Sequence, residues 1–382
     1  MKRSTERILT THVGSLPRPD ELLDALDRGD GALSTLLPDA IRSIVRRQRE
    51  LGIDVVNDGE YSKPSFITYV GDRLTGFETR GAATDAALWT STREGRAFPE
   101  YYGQLPAPAL PDVVCTGPIR YVGREALDRD IENLRAALSD VGGDDAFMTS
   151  ISPVEIVFTH RNEHYESEEE FLFAVADALR DEYAAIIEAG LVLQIDDPCL
   201  VTYYNQAPDL SLDEVRGWAT IRVEAINHAL RGLPEDRVRF HTCYSINAGP
   251  RLHDMELDAM VDIMLQVRAS AYSFEAGNPR HEHEWRIWQD VRLPEGKIII
   301  PGVITNSSVM IEHPRVIADR IIRFANVVGR ENVIAGSDCG FASFAHSKEF
   351  DQSVVWAKLA ALSEGARLAT EELWGATPVS RS

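Results

Sequence analysis

A chain of 382 residues that sets 39 lysines and arginines against 60 aspartates and glutamates has a formal net charge of −21, so its long-range field repels nucleic acid and anionic membrane surfaces. It has no run of about 18 apolar residues, and the opening MKRSTERILTTHVGS lacks the apolar core of a signal peptide, which points to a cytoplasmic protein. Cys115, Cys199, Cys243 and Cys339 are too scattered for a disulfide framework and are expected as reduced thiols.

Short β-branched runs alternate with long amphipathic stretches, the pattern of βα units feeding a mostly parallel sheet. In chain order the predicted strands are RILTTHVG (7–14), GIDVVNDG (52–59), DAFMTSIS (145–152), LVLQIDDP (191–198), RVRFHTC (237–243), SAYSFEA (270–276), KIIIPGV (297–303) and NVIAGSDCG (332–340). Between them, the 167–190 stretch opens on a capping box, Ser167 with Glu170, and stops at Gly190, while 313–329 repeats the design with Gly329 as its stop. This α/β pattern predicts a (β/α)8 TIM barrel in one domain over 1–382. Residues 78–125, rich in Gly, Pro and aromatics, read as an insertion after the second strand, and a ninth strand candidate, PDVVCTGPIRYVG (111–123), falls within it.

Catalytic groups of such barrels sit at the C-terminal ends of strands. Here those ends carry His12 and Ser15, Asp58 and Glu60, Asp196 and Asp197, His241 and Cys243, Glu275, and Asp338 and Cys339. Taken singly, a carboxylate there is often a helix N-cap and a cysteine a small buried hydrophobe. Their convergence argues for chemistry. On an extended strand the side chains of His241 and Cys243 share a face. Glu275 and Cys339, at the ends of the next strand and the last, could meet them above a closed barrel. Two thiolates, an imidazole and a carboxylate suit zinc and suit magnesium or calcium poorly.

The stretches THVGSLPRP, DGEYSKPSF, LQIDDP, FHTCYSINAGP, SFEAGNPRHEHEW, IPGVI and AGSDCGF resemble the catalytic half of cobalamin-independent methionine synthases. They are closer to the shorter single-domain branch that includes epoxyalkane:coenzyme M transferase. The resemblance implies a zinc-dependent thiol alkyltransferase with Zn2+ held by His241, Cys243 and Cys339, and Glu275 as a fourth ligand that the substrate thiol displaces. It also implies that Ser15, Glu60 and Asp196 hold the amino-acid end of homocysteine, with Glu60 and Asp196 acting in catalysis. Full-length methionine synthases carry a proton-donating histidine after PGV; here the stretch is PGVITNSSVMIEHP, with Thr305, Asn306, Ser307 and Ser308 at that turn and His313 only before Pro314. Methyl-folate as donor is thereby put in question, since a tertiary amine leaves poorly without a proton. His160, His164, His281 and His283 are the candidate substitutes.

Methylation of homocysteine is the favoured function. The alternative is an epoxyalkane:coenzyme M transferase, whose sulfonate needs cations such as Arg18 or Lys63. A zinc hydrolase fits less well, because a two-thiolate site lowers the pKa of water less than an all-nitrogen one. A structural zinc scaffold gathers its ligands locally, whereas these come from three strands. The expected partners are a small thiol and a small-molecule alkyl donor, with neither nucleic acid nor membrane, and the sequence is compatible with a homo-oligomer.

Overall fold

A computed structural model describes residues 1–375 except 30, 85–88, 106–108, 143–144, 245–248 and 348. In chain order its elements are β1 (Leu9–Thr10), α1 (Asp20–Arg28), α2 (Ala32–Glu50), β2 (Phe77–Thr84), α3 (Arg93–Ala97), α4 (Pro99–Tyr102), β3 (Ala109–Cys115), α5 (Arg124–Val141), β4 (Phe147–Ile151), α6 (Pro153–Thr159), β5 (Arg161–Asn162), α7 (Glu168–Glu188), β6 (Val192–Asp196), α8 (Cys199–Gln206) and α9 (Leu212–Ala229). They continue as β7 (Val238–His241), α10 (Val261–Met264), β8 (Ala271–Phe274), α11 (Ile287–Asp290), β9 (Ile298–Ile304), α12 (Pro314–Val328), β10 (Ile334–Ser337) and α13 (Gln352–Trp374). No helix among the described residues is long and apolar enough to cross a membrane.

Seven strands form one parallel sheet in the order β1-β10-β9-β8-β7-β6-β4. The sheet curls until both edges reach the same segment. On one side the Asp54 and Val55 N–H groups donate to Thr10 O, and on the other the Phe147 N–H donates to Val56 O beside an isolated parallel bridge between Val56 and Ala146. The predicted second strand, 52–59, is thus this bridge and not a strand. The reason is local: the Asp54 carboxylate accepts the Thr10 N–H at 2.9 Å and the Thr10 hydroxyl at 3.1 Å, so a side chain takes bonds that a ladder would use. Seven of the eight expected strands therefore form the sheet.

The interior is packed across the curl. Arg239 of β7, fully buried, bonds to the Thr11 hydroxyl and the His12 carbonyl beyond β1, and its guanidinium stacks 3.6 Å from the Phe147 ring centroid. Gln194 of β6 donates to the Val13 carbonyl. These bonds tie β7 and β6 to the segment after β1 across the interior and give the buried guanidinium and amide their partners.

A smaller sheet in the order β2-β3-β5 joins residues 77–115 to Arg161–Asn162, with β2 and β3 antiparallel and β3 and β5 parallel. The strand candidate at 111–123 is correct only to Cys115, and β2 (FETRGAAT) gives no signal in the sequence because its polar and small residues lack alternation. The caps of α7 follow expectation in part: Ser167 Oγ accepts the Glu170 N–H at 3.1 Å, but Glu170 reaches back to the Glu166 N–H and not to that of Ser167.

Candidate functional site

The ends of the parallel strands surround a cavity of about 530 Å3, lined among others by Ser15, Glu60, Glu155, Asp196, His241, Cys243 and Cys339. The β6–β7 register sets Asp196 opposite His241. Asp196 Oδ1 lies 2.9 Å from His241 Nδ1, and Gln194 Nε2 donates to the same oxygen at 2.6 Å. That leaves His241 Nε2 buried with no partner among the described residues. Cys243 follows β7 by two residues and Cys339 follows β10 by two; their Sγ atoms lie 3.3 Å apart, well beyond the ~2.05 Å of a disulfide. The potential ligand atoms of His241, Cys243 and Cys339 all fall within 4.8 Å of one another, and the three residues are buried.

Chemically this is a soft trio with one free imidazole nitrogen, already oriented by a carboxylate, and it fits a zinc ion. The Cys243 thiol is pushed well above its usual pKa, first by its bond with Cys339 and then by burial. Burial opposes protonation of His241, but the Cys243 sulfur and the Asp196 carboxylate outweigh it and raise its pKa to about 10.

Glu275 stands apart from the trio. Its Oε1 accepts the Tyr244 N–H at 2.7 Å, and its Oε2 accepts Asn278 Nδ2 at 2.8 Å and Arg251 Nη2 at 3.3 Å. The structure therefore brings three of the four predicted ligands together and holds the fourth next to Cys243 through the Tyr244 amide.

Glu60 lines the cavity in a strained conformation, with φ of 59° for a residue that is not glycine. Its Oε2 is buried without a partner among the described residues, and burial together with Asp196 lifts its carboxyl to about 7 against the pull of Lys63. Gly14 makes room for it: a Cβ there lies 2.7 Å from Glu60 Oε1. Ser15 Oγ accepts the Ala342 N–H at 3.3 Å, and a Cβ on Gly340 would sit 2.1 Å from that oxygen.

The remaining strand-end groups take the plainer roles. Asp58 Oδ1 accepts the Glu60 N–H, Asp197 Oδ1 accepts the Leu200 N–H at the start of α8, and Asp338 Oδ1 accepts the Ala276 and Gly277 N–H groups. His12 bonds Gln48. None of His160, His164, His281 and His283 is among the residues lining the cavity. His160 bonds the Ile156 carbonyl, His281 bridges Asp254 and Glu284, and His283 pairs with Glu256. Arg18 donates to the carbonyls of Ala342, Glu60 and Lys63, and Lys63 Nζ to Thr149.

Sequence reasoning missed Glu155 and Cys199, whose Sγ–H donates to Glu155 Oε2 at 2.9 Å inside the cavity wall. It also missed the aromatic side of the cavity, formed by Phe66, Trp89, Phe158 and Phe344. Glu155 enters α6 behind the Ser152 cap, whose Oγ accepts the Glu155 N–H, and nothing in that run marks a cavity wall.

Residues 151–361 match the family described as cobalamin-independent synthase, catalytic domain. The chain is 23% identical over 373 residues to a methionine synthase of Sulfurisphaera tokodaii, covering 95% of this chain and 93% of that protein. A solved B12-independent methionine synthase from Shewanella sp. W3-18-1, in complex with selenomethionine, superposes with a TM-score of 0.72 at 20% identity, covering 96% of this chain and 99% of that one. A putative vitamin-B12 independent methionine synthase from Listeria monocytogenes gives 0.66 at 19% identity, covering 97% and 99%.

Proposed function

Because the chain belongs to the cobalamin-independent synthase family through its catalytic domain, we propose that it methylates the sulfur of homocysteine at a zinc site made by His241, Cys243 and Cys339. The observation that carries this reading is the buried trio with a free His241 Nε2, opening on the cavity that also holds the unpartnered Glu60 oxygen. Zinc, when bound, supplies one thing: it lowers the pKa of a coordinated thiol so that a thiolate is present near neutral pH.

The rest falls to the chain's own side chains. Asp196 holds the His241 ring with Nδ1 occupied, which fixes Nε2 as the donor nitrogen. Glu60 offers its free oxygen to the substrate ammonium, and Asp196, on the same cavity wall, adds a second negative charge. An incoming ammonium relieves the buried Glu60 carboxylate and favours its ionised form. Ser15 is left to meet the carboxylate end. In this reading Glu275, whose Oε1 accepts the Tyr244 N–H, would be the fourth ligand holding the metal and the one the substrate thiol would replace.

In the same reading the curled sheet is a (β/α)8 barrel whose second position is 52–59, and the chain is one catalytic domain with 78–125 inserted. Coenzyme M is less well served. The cations its sulfonate would need, Arg18 and Lys63, are already engaged by carbonyls and by Thr149.

Titration calorimetry on zinc-loaded protein tests the proposal. Homocysteine should bind more tightly than 4-mercaptobutyrate, its analogue without the amine, by about 2–5 kcal/mol, the usual cost of leaving one side of a desolvated charge pair empty. Equal affinities would remove the amino-acid pocket.

A further inference from the structure

The cavity has more carboxyl groups than one ammonium answers. Among the described residues, its lining includes the carboxyl groups of Glu60, Glu155, Asp196 and Glu349, with neither lysine nor arginine. If homocysteine is the thiol, as proposed, Glu60 and Asp196 serve its ammonium, and the identity of the methyl donor rests on that assignment. Glu155 and Glu349 then remain. Glu155 is 4% exposed, its one described side-chain hydrogen bond comes from the weakly donating Cys199 thiol, and burial raises its carboxyl to about 7. No cation pairs with Glu155 or Glu349 among the described residues. The same cavity is lined by four aromatic side chains, Phe66, Trp89, Phe158 and Phe344, of which Phe158 and Phe344 are 37% and 39% exposed.

Aromatic faces beside a buried carboxyl group, Glu155, and an exposed one, Glu349, without a competing ammonium or guanidinium, form a receptor for a soft, bulky cation that cannot itself donate hydrogen bonds. We infer that the methyl donor is an onium cation, a methylsulfonium or a methyl quaternary ammonium compound, seated against Trp89, Phe158 and Glu155.

A second observation agrees. Among the described residues the only histidine lining the cavity is His241, whose Nδ1 is occupied by Asp196, and the turn after PGV offers only Thr305, Asn306 and serines. A methylated tertiary amine needs a proton to leave; an onium donor does not. The substrate thiolate attacks the methyl carbon and a new S–CH3 bond forms. The bond from that carbon to the positive sulfur or nitrogen breaks, and its electron pair stays on the leaving atom. A neutral thioether or tertiary amine departs with no proton moved.

The test uses the zinc-loaded full chain with homocysteine bound. Tetramethylammonium, an inert probe, should bind at least about tenfold more tightly than the neutral isostere 2,2-dimethylpropan-1-ol, and Trp89→Leu should cut that preference several-fold without changing homocysteine affinity. Methyl-labelled S-methylmethionine and glycine betaine, supplied separately, decide between sulfonium and ammonium by which one labels methionine. If 5-methyltetrahydrofolate labels methionine and neither onium does, the inference is overturned while the homocysteine reading stands. A folate reaction that also fails in Glu155→Gln would show Glu155 acting as a proton donor and overturn it in the same way. Equal binding of the cation and its isostere overturns it too. If homocysteine itself does not bind, the underlying function falls first.

Discussion

Asp196 Oδ1 sits 2.9 Å from Nδ1 of His241 because neighbouring parallel strands place the two residues opposite each other. The carboxylate decides which ring nitrogen is left for a metal, so in the proposed reading Asp196 positions His241 for zinc as well as lining the cavity. Asp196→Asn should keep the packing and lower zinc affinity about 10–100-fold, the usual cost of losing such a partner. Competition with a chromophoric chelator measures it, and unchanged affinity would separate Asp196 from the metal.

The 3.3 Å between Cys243 and Cys339 sulfurs leaves little travel before a bond forms. Zinc-stripped protein treated with diamide should lose two hydrogens in mass and yield one cross-linked peptide pair, Cys243 with Cys339. Zinc-loaded protein should resist. Cross-linking at the same rate with zinc present would mean that the sulfurs are not its ligands.

His160 gives a pH prediction away from the metal. Burial drops its pKa from 6.5 to about 4, against a favourable bond to the Ile156 carbonyl. The folded value lies below the unfolded one, so between pH 6.5 and 4 the unfolded chain takes up a proton that the folded chain refuses. Stability from this group is full above about pH 6.5 and is lost as pH falls through that window, by up to about 3 kcal/mol. Glu60 and Glu155, raised to about 7, work in the opposite sense, so the comparison must be with a variant. Urea unfolding of wild type and His160→Gln at pH 7.5, 6 and 5 should show the wild-type advantage shrinking with acid; a constant difference would contradict it.

Gly14→Ala places a methyl group 2.7 Å from Glu60 Oε1 and 2.8 Å from the Thr149 methyl, at a φ of 148° that side chains resist. It should destabilise the protein by about 1–3 kcal/mol, the scale of overpacking, and weaken homocysteine binding. Zinc content should hold, since Gly14 is not among the residues of the metal trio. Loss of zinc with the thiol would mean that the two sites are not separable.

The parallel strands were legible because each is a short apolar run between polar turns, and the metal trio because position at strand ends is a stronger signal than spacing. What escaped was set by contacts across the chain. Asp54 turns a would-be strand into a bridge by bonding Thr10, 44 residues away. Glu275 reads as a ligand from its place after β8, and its bonds from Arg251 and Asn278 are advertised by neither residue locally. The aromatic side of the cavity draws Phe66, Trp89, Phe158 and Phe344 from four separate loops and helix ends, so no periodicity exists to be read.

Cys243 and Cys339 lie 96 residues apart in the chain, and in the sheet β8 and β9 stand between the strands that carry them. A nascent chain that has emerged only through β9 owns His241 and Cys243 but no third ligand. In the proposed reading metal capture would come last, once β10 has docked, so the fold would be reached on packing alone. Bound zinc would then mark completed synthesis, and a truncated or misassembled chain would be known by its failure to hold the ion.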